Sequence, residues 1–131
     1  MTVQSAEVGI VTADDALPAF YRCVFGLTEH PPRSYPAGVV HRLGRSDDVL
    51  VKIMVPAAPP TQAPQTPAQF WDRAGLAYCT LWVDALDDVV RRCGDHGGTV
   101  AAEPVEIRPG VRTALLRDPD GNTLEVMEGG R

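Results

Sequence analysis

Lysine is almost absent from this chain: Lys52 alone stands against eleven arginines in 131 residues. Acidic residues outnumber basic ones, 17 to 12, for a net charge of −5, which removes the electrostatic basis for binding nucleic acid. Cysteine is scarce. Cys23, Cys79 and Cys93 form no CxxC pair and no Cys/His cluster, so free buried thiols are expected rather than a disulfide framework or a zinc site. Aromatic residues make up only 6%, a thin supply for a cleft that works mainly by stacking. No apolar run reaches the roughly 18 residues of a membrane span. The start, Met1-Thr2-Val3-Gln4, lacks a basic flank followed by an apolar stretch, so a cytoplasmic location is the expectation. A glycine-rich phosphate loop, a nucleophile elbow and a Ser/His/Asp arrangement are all missing.

What is present is an ordinary globular composition, 44% hydrophobic and 22% charged, of a length that suits one domain over residues 1–131. Val8 to Val11 reads as a short strand with Glu7 at its edge. Asp14 or Asp15 is placed to cap a helix carrying Leu17, Phe20, Tyr21 and Val24 on one stripe, with Pro18 in its first turn and Gly26 closing it. Pro31 to Pro36 reads as a loop. Two strands, Gly38 to Leu43 and Val49 to Val55, flank a hairpin loop. The only lysine lies inside the second of them. Five prolines between Pro56 and Pro67 predict an extended linker, with Phe70 and Trp71 pinning its far end.

The plan then repeats. Leu76 to Val83 is a strand, and Asp84 caps a helix with Leu86, Val89, Val90 and Cys93 inward, ending at Gly97-Gly98. His96 is placed to meet that helix's C-terminus. Short strands follow near Thr99 to Ala101 and over Val111 to Arg117, with Glu103 to Gly110 read as a loop between them. Asp118-Pro119-Asp120-Gly121-Asn122 is a tight turn into a last strand, Thr123 to Glu128. Glu7 to Lys52 spans 45 residues and Tyr78 to Glu125 spans 47. This internal repeat predicts module one over about 3–55, a linker over 56–67 and module two over about 74–128.

The stretch Ala114-Leu115-Leu116-Arg117-Asp118-Pro119-Asp120-Gly121-Asn122-Thr123-Leu124-Glu125-Val126 resembles the signature that ends glyoxalase, bleomycin-resistance and extradiol-dioxygenase domains. Phe20-Tyr21-Arg22-Cys23-Val24-Phe25-Gly26-Leu27 is similar to the first helix of the same vicinal oxygen chelate (VOC) superfamily. The resemblance implies an α+β fold: tandem βαβββ modules forming a curled mixed sheet that lines a cleft. It also implies metal-ligand positions at Glu7, Lys52, Tyr78 and Glu125, where relatives carry His or Glu. Glu125 fits and Glu7 is compatible, although its register looks one residue short. Tyr78 and Lys52 depart from the pattern.

A divalent ion needs three or four imidazole, thiolate or carboxylate ligands. Glu7 and Glu125 supply two, His41 is a third candidate were a metal present, and the Lys52 ammonium repels the ion. No metal or other cofactor is therefore expected. Lys52 instead supplies a positive charge suited to a developing oxyanion, with Glu7 or Glu125 as its partner. Glu7 or Glu125 can move a proton, and Tyr78 can donate one. Strand alternation adds Thr80 and Trp82 beside Tyr78, Leu50 and Met54 beside Lys52, and Thr123 and Met127 beside Glu125. His41 joins these as a substrate-contact candidate wherever its strand turns it toward them.

The expected function is metal-independent acid–base chemistry on a small carbonyl compound, of the isomerisation, cyclisation or lyase type. A drug- or metabolite-sequestering protein and a glyoxalase-like metalloenzyme with atypical ligands are the alternatives. The expected partners are a small-molecule ligand, neither nucleic acid nor membrane, and, by the resemblance, a second copy in a homodimer.

Overall fold

The computed structural model describes residues 2–130. The chain forms two compact units, Met1–Ala63 and Pro64–Arg131, called modules one and two here. Each is a mixed four-stranded sheet with one helix, built on the same plan. No helix among the described residues is long and apolar enough to cross a membrane.

Module one contains β1 (Val8–Val11), α1 (Leu17–Phe25), β2 (Thr28–Tyr35), β3 (Gly38–Gly44) and β4 (Val51–Pro56). The sheet order is β1-β4-β3-β2, with β1 parallel to β4 and the other pairs antiparallel. Leu17, Phe20, Tyr21 and Val24 recur at helical spacing and are buried, as are Leu43, Val51 and Ile53 on the sheet. Pro18 lies in the first turn of α1, and Gly26 closes the helix at φ 65°, a left-handed conformation that costs glycine nothing. The expected aspartate cap is displaced by two residues. The N-cap is Ala16, whose amide donates to Asp14 Oδ1 at 2.8 Å, so Asp14 shapes the approach rather than the first helical turn.

Residues Pro31 to Pro36 correct the expected loop, because they belong mostly to β2. Two adjacent prolines cannot donate to a ladder, but β2 is an edge strand, and its register shifts between His30 and Arg33 where they sit. Pro104 misleads in the same way in module two. The expected short strand near Thr99 to Ala101 runs on to Arg108, past three register shifts, with Pro104 inside the one between Ala102 and Val105.

Module two contains β5 (Cys79–Trp82), α2 (Leu86–Asp95), β6 (Thr99–Arg108), β7 (Val111–Arg117) and β8 (Thr123–Gly129), in the order β5-β8-β7-β6. Strand β5 is shorter than expected, and Leu76 is fully exposed. The turn before β8 is held by Asp118, which is buried. Its Oδ1 accepts the amides of Asp120 and Asn122, each at 2.9 Å, and Oδ2 accepts the Asn122 side-chain amide. Of the three cysteines, only Cys93 is buried; Cys23 and Cys79 are half-buried. Burial, then the Asp118 charge, push the Cys93 thiol up to about 11.

Asp84 does not cap α2. The N-cap is Ala85, which has no side chain to offer, and the Leu86 amide donates instead to Glu128 Oε2 of β8 at 2.7 Å. Glu128 also meets Arg112 at 3.1 Å, and Arg112 meets Asp87 at 3.1 Å. The Leu86 amide first, and the Arg112 guanidinium after it, hold the Glu128 carboxyl below the usual carboxylate range. A depressed value means this stabilisation is present above the ordinary carboxylate range and is lost as pH falls through the folded value. Glu128→Gln is therefore expected to cost about 1 kcal/mol at pH 7. It should also flatten the acid limb of the stability profile, as urea unfolding at pH 7 and in acid would show. At the other end of α2, His96 Nδ1 lies 2.9 Å from the Arg92 carbonyl oxygen, as anticipated for a helix terminus.

Candidate functional site

The strand registers fix which side chains share a face. In module one Gly9 pairs with Lys52 and Lys52 with Arg42; Val11 pairs with Met54 and Met54 with Val40. Opposed residues point the same way, so these side chains occupy one face. The alternate residues Val51, Ile53 and Leu43 are buried and take the helix-covered face. The face carrying Lys52 is thus the one α1 leaves open.

Glu7, two residues before Gly9, reaches the same open face. Its Oε2 lies 3.6 Å from Lys52 Nζ, with the lysine side chain 46% exposed. Of the two partners considered for the lysine, Glu7 is the one it meets. His41 is placed elsewhere. It pairs with Ile53, and its Nδ1 lies 3.1 Å from Glu29 Oε1, while Glu29 Oε2 accepts from Arg22 of α1 at 2.8 Å. The histidine therefore belongs to the helix-side face and not with Lys52 and Met54. Alternation along one strand allowed either side, and only the pairing decides it.

Module two repeats the geometry at equivalent places. Thr80 pairs with Glu125 and Glu125 with Leu115; Trp82 pairs with Met127 and Met127 with Thr113. The Thr80 hydroxyl donates to Glu125 Oε1 at 2.8 Å. One carboxylate oxygen is thereby fixed, which orients the other on a half-buried side chain. Tyr78 precedes β5, 49% exposed, with its ring edge-on to Phe70 at 4.9 Å. Thr123 and Met127 are buried on this face, and Trp82 is half-buried.

Two features of module two escaped sequence reasoning. Thr113 Oγ1 is buried without a hydrogen-bond partner among the described residues, and it sits beside Met127, one pair along from Glu125. A buried hydroxyl in that state has hydrogen-bonding capacity left unspent. The second is a strap. Thr66 Oγ1 donates to the Gly121 carbonyl at 3.0 Å, and the Arg117 guanidinium donates to the carbonyls of Pro67 and Ala68 at 3.0 and 3.1 Å. A single 3-10 turn, Phe70–Asp72, follows and delivers Phe70 to Tyr78. The linker's far end is thus pinned by Arg117 and Phe70, while Trp71 stays exposed. Backbone acceptors leave no sequence pattern, so only the coordinates show Arg117 in this part.

The four positions at which the resemblance implies metal ligands do not fit a divalent ion. In module one an ammonium already meets the only carboxylate, and in module two the partner of Glu125 is a threonine hydroxyl with a phenol nearby. Among the described residues no three His, Cys, Asp or Glu side chains converge.

The model of the Glyoxalase/Bleomycin resistance protein/Dioxygenase superfamily matches residues 10–126. No curated protein matches the sequence. Among solved structures, a glyoxalase family protein from Bacillus cereus superposes with a TM-score of 0.84 at 17% identity, covering 98% of this chain and 95% of its own. The fosfomycin resistance protein FosX from Listeria monocytogenes gives 0.71 at 14% identity, covering 99% and 94%. TioX from Micromonospora gives 0.64 at 18% identity, covering 98% of each chain. With two βαβββ modules in the family's order and its model matched over nearly the whole length, the chain belongs to the glyoxalase/bleomycin resistance/dioxygenase superfamily.

Proposed function

We propose that this protein is an enzyme that moves a proton on a small carbonyl compound without a metal ion, in an isomerisation, cyclisation or elimination. The observation that carries the reading is Glu125, a carboxylate oriented by the Thr80 hydroxyl on the sheet face that α2 leaves open. A base held in one geometry by a second group is the arrangement general acid–base catalysis requires. Tyr78 supplies a phenolic donor, and Thr113 a hydroxyl whose hydrogen-bonding capacity is unspent.

The test does not require the physiological substrate. Chelator-stripped protein, incubated in D2O with a panel of small aldehydes and ketones, is expected to speed solvent exchange at the carbon next to the carbonyl, read by NMR. Thr80→Val, which removes the hydroxyl that orients Glu125, should slow that exchange about tenfold, the loss of one hydrogen bond to a charged group. Exchange that returns only with a stoichiometric transition metal would overturn the reading.

One observation favours a second reading, sequestration of a drug or metabolite. Trp71, Phe70 and Tyr78 form an edge-on aromatic series with two exposed members, a surface on which a flat ligand could stack. FosX, a structural relative, is a resistance protein. Ligand binding with no exchange on any compound would favour this alternative.

A further inference from the structure

The two modules share a register, so each serves as a control for the other. Arg33, Arg42 and Lys52 occupy successive strands on the open face of module one, Arg33 pairing with Val40 and Arg42 with Lys52. The equivalent residues of module two are Val105, Leu115 and Glu125. Three cations therefore stand where the same fold elsewhere holds two apolar residues and an acid, and the architecture does not demand them.

They are also poorly compensated. Arg42 and Lys52 are directly opposite, where like charges on neighbouring strands destabilise a sheet. Glu7 meets Lys52 only. The other carboxylates of module one that form ion pairs are turned away: Glu29 holds Arg22 and His41, and Asp48 holds Arg45. Among the described residues Arg33 and Arg42 form no ion pair. Among the described residues the sole polar contact of the Arg42 guanidinium is a long one, 3.5 Å to the Pro31 carbonyl at the β2 bulge. His30 Nε2 lies 2.8 and 3.0 Å from the carbonyl oxygens of Arg45 and Asp48, which can only accept, so it donates to them.

We infer that Arg42 and Lys52 seat a doubly charged oxyanion, a phosphate-type group carried by a small molecule, on the open face of module one. A guanidinium offers paired N–H donors to two oxygens while the ammonium offers a point charge to a third. Arg33, Arg42 and Lys52 stand on this face against the one carboxylate of Glu7, an excess of two positive charges that a dianion balances and a monoanion only halves. Apolar Val11, Val40 and Met54 on the same face suit the uncharged remainder of the ligand. The inference rests on the reading that the protein handles a small molecule, and it names that molecule's charged end.

The experiment is a titration of the full chain with inorganic phosphate, followed by calorimetry and thermal melting, with acetate as the monoanion control. Wild type is expected to bind phosphate and melt higher in its presence, and acetate more weakly. Arg42→Gln should weaken phosphate binding about tenfold, as loss of a charged hydrogen-bonding partner does. Arg22→Gln, on the helix-side face, should leave it unchanged. Arg42→Leu should raise the melting temperature without ligand, because it removes the like-charge pair; this also shows that the variant folds. Phosphate binding that is absent, that acetate equals, or that survives Arg42→Gln overturns the inference. Arg42 has no part in the proton transfer proposed above. Loss of phosphate binding in Arg42→Gln with full exchange activity in Glu125→Gln would sink the catalytic reading and leave this one standing, and the converse results would do the opposite.

Discussion

Glu125→Gln is expected to lower turnover by about 100- to 10,000-fold, the usual contribution of a positioned acid–base group. The substitution is nearly isosteric. The amide oxygen of glutamine can still accept the Thr80 hydroxyl, now 2.8 Å from Glu125 Oε1, so the side chain keeps its place while losing its capacity to take a proton. The thermal midpoint should barely move, which separates a chemical loss from a structural one. Thr80→Val tests the orientation separately. It leaves the carboxylate but removes its hydroxyl anchor, and a drop of about tenfold follows from losing one hydrogen bond to a charged group. A Glu125→Gln protein that still turns over at the wild-type rate would mean the base lies elsewhere.

The second large effect is on stability. Tyr21 is fully buried in α1, edge-on to Phe20 at 5.3 Å and stacked on Phe25 at 6.0 Å. Tyr21→Ala empties a fully buried position on the helix that packs against β3, and aromatic-to-alanine changes in such cores cost about 3–5 kcal/mol. For a chain of this length that corresponds to a fall of roughly 10–18 °C in melting temperature. Calorimetry would measure it directly. A shift under about 3 °C would show that the ring's burial contributes little.

Much of the fold was legible because the duplication left two records of it. The helix stripes, Gly26 and the DPDGN turn each have a local physical cause that single residues reveal. The same holds for the faces: period-two alternation correctly groups Thr80 with Trp82 and Met54 with Lys52. What failed depended on partners remote in sequence. Pro31-Pro32 and Pro104 read as loop because proline opposes a strand, yet on an edge strand with a bulge the missing donor has no ladder to break. Asp84 looked like the cap of α2, but the carboxylate that meets the helix belongs to Glu128, 42 residues away from Leu86. His41 could have faced either way, and its partner Glu29 is known only from the register. Arg42 was passed over for the same reason: nothing near it in the chain announces that it lies opposite the only lysine.

The sheet order β1-β4-β3-β2, repeated as β5-β8-β7-β6, has a consequence for the order of events during synthesis. In each module the first strand pairs with the last, so neither sheet can close until its final strand has left the ribosome. Module one is complete once Pro56 is out, whereas module two waits for Gly129, the end of β8. At translation rates of about 5–20 residues per second, the first half spends roughly 4–15 seconds as a finished sheet tethered to an unfinished one. The α2 N-terminus waits longest, because Glu128 lies one residue before the end of β8. A nascent chain stalled just before it would carry a closed first half and an uncapped second helix, a state that pulse proteolysis on the ribosome would resolve from the full-length fold.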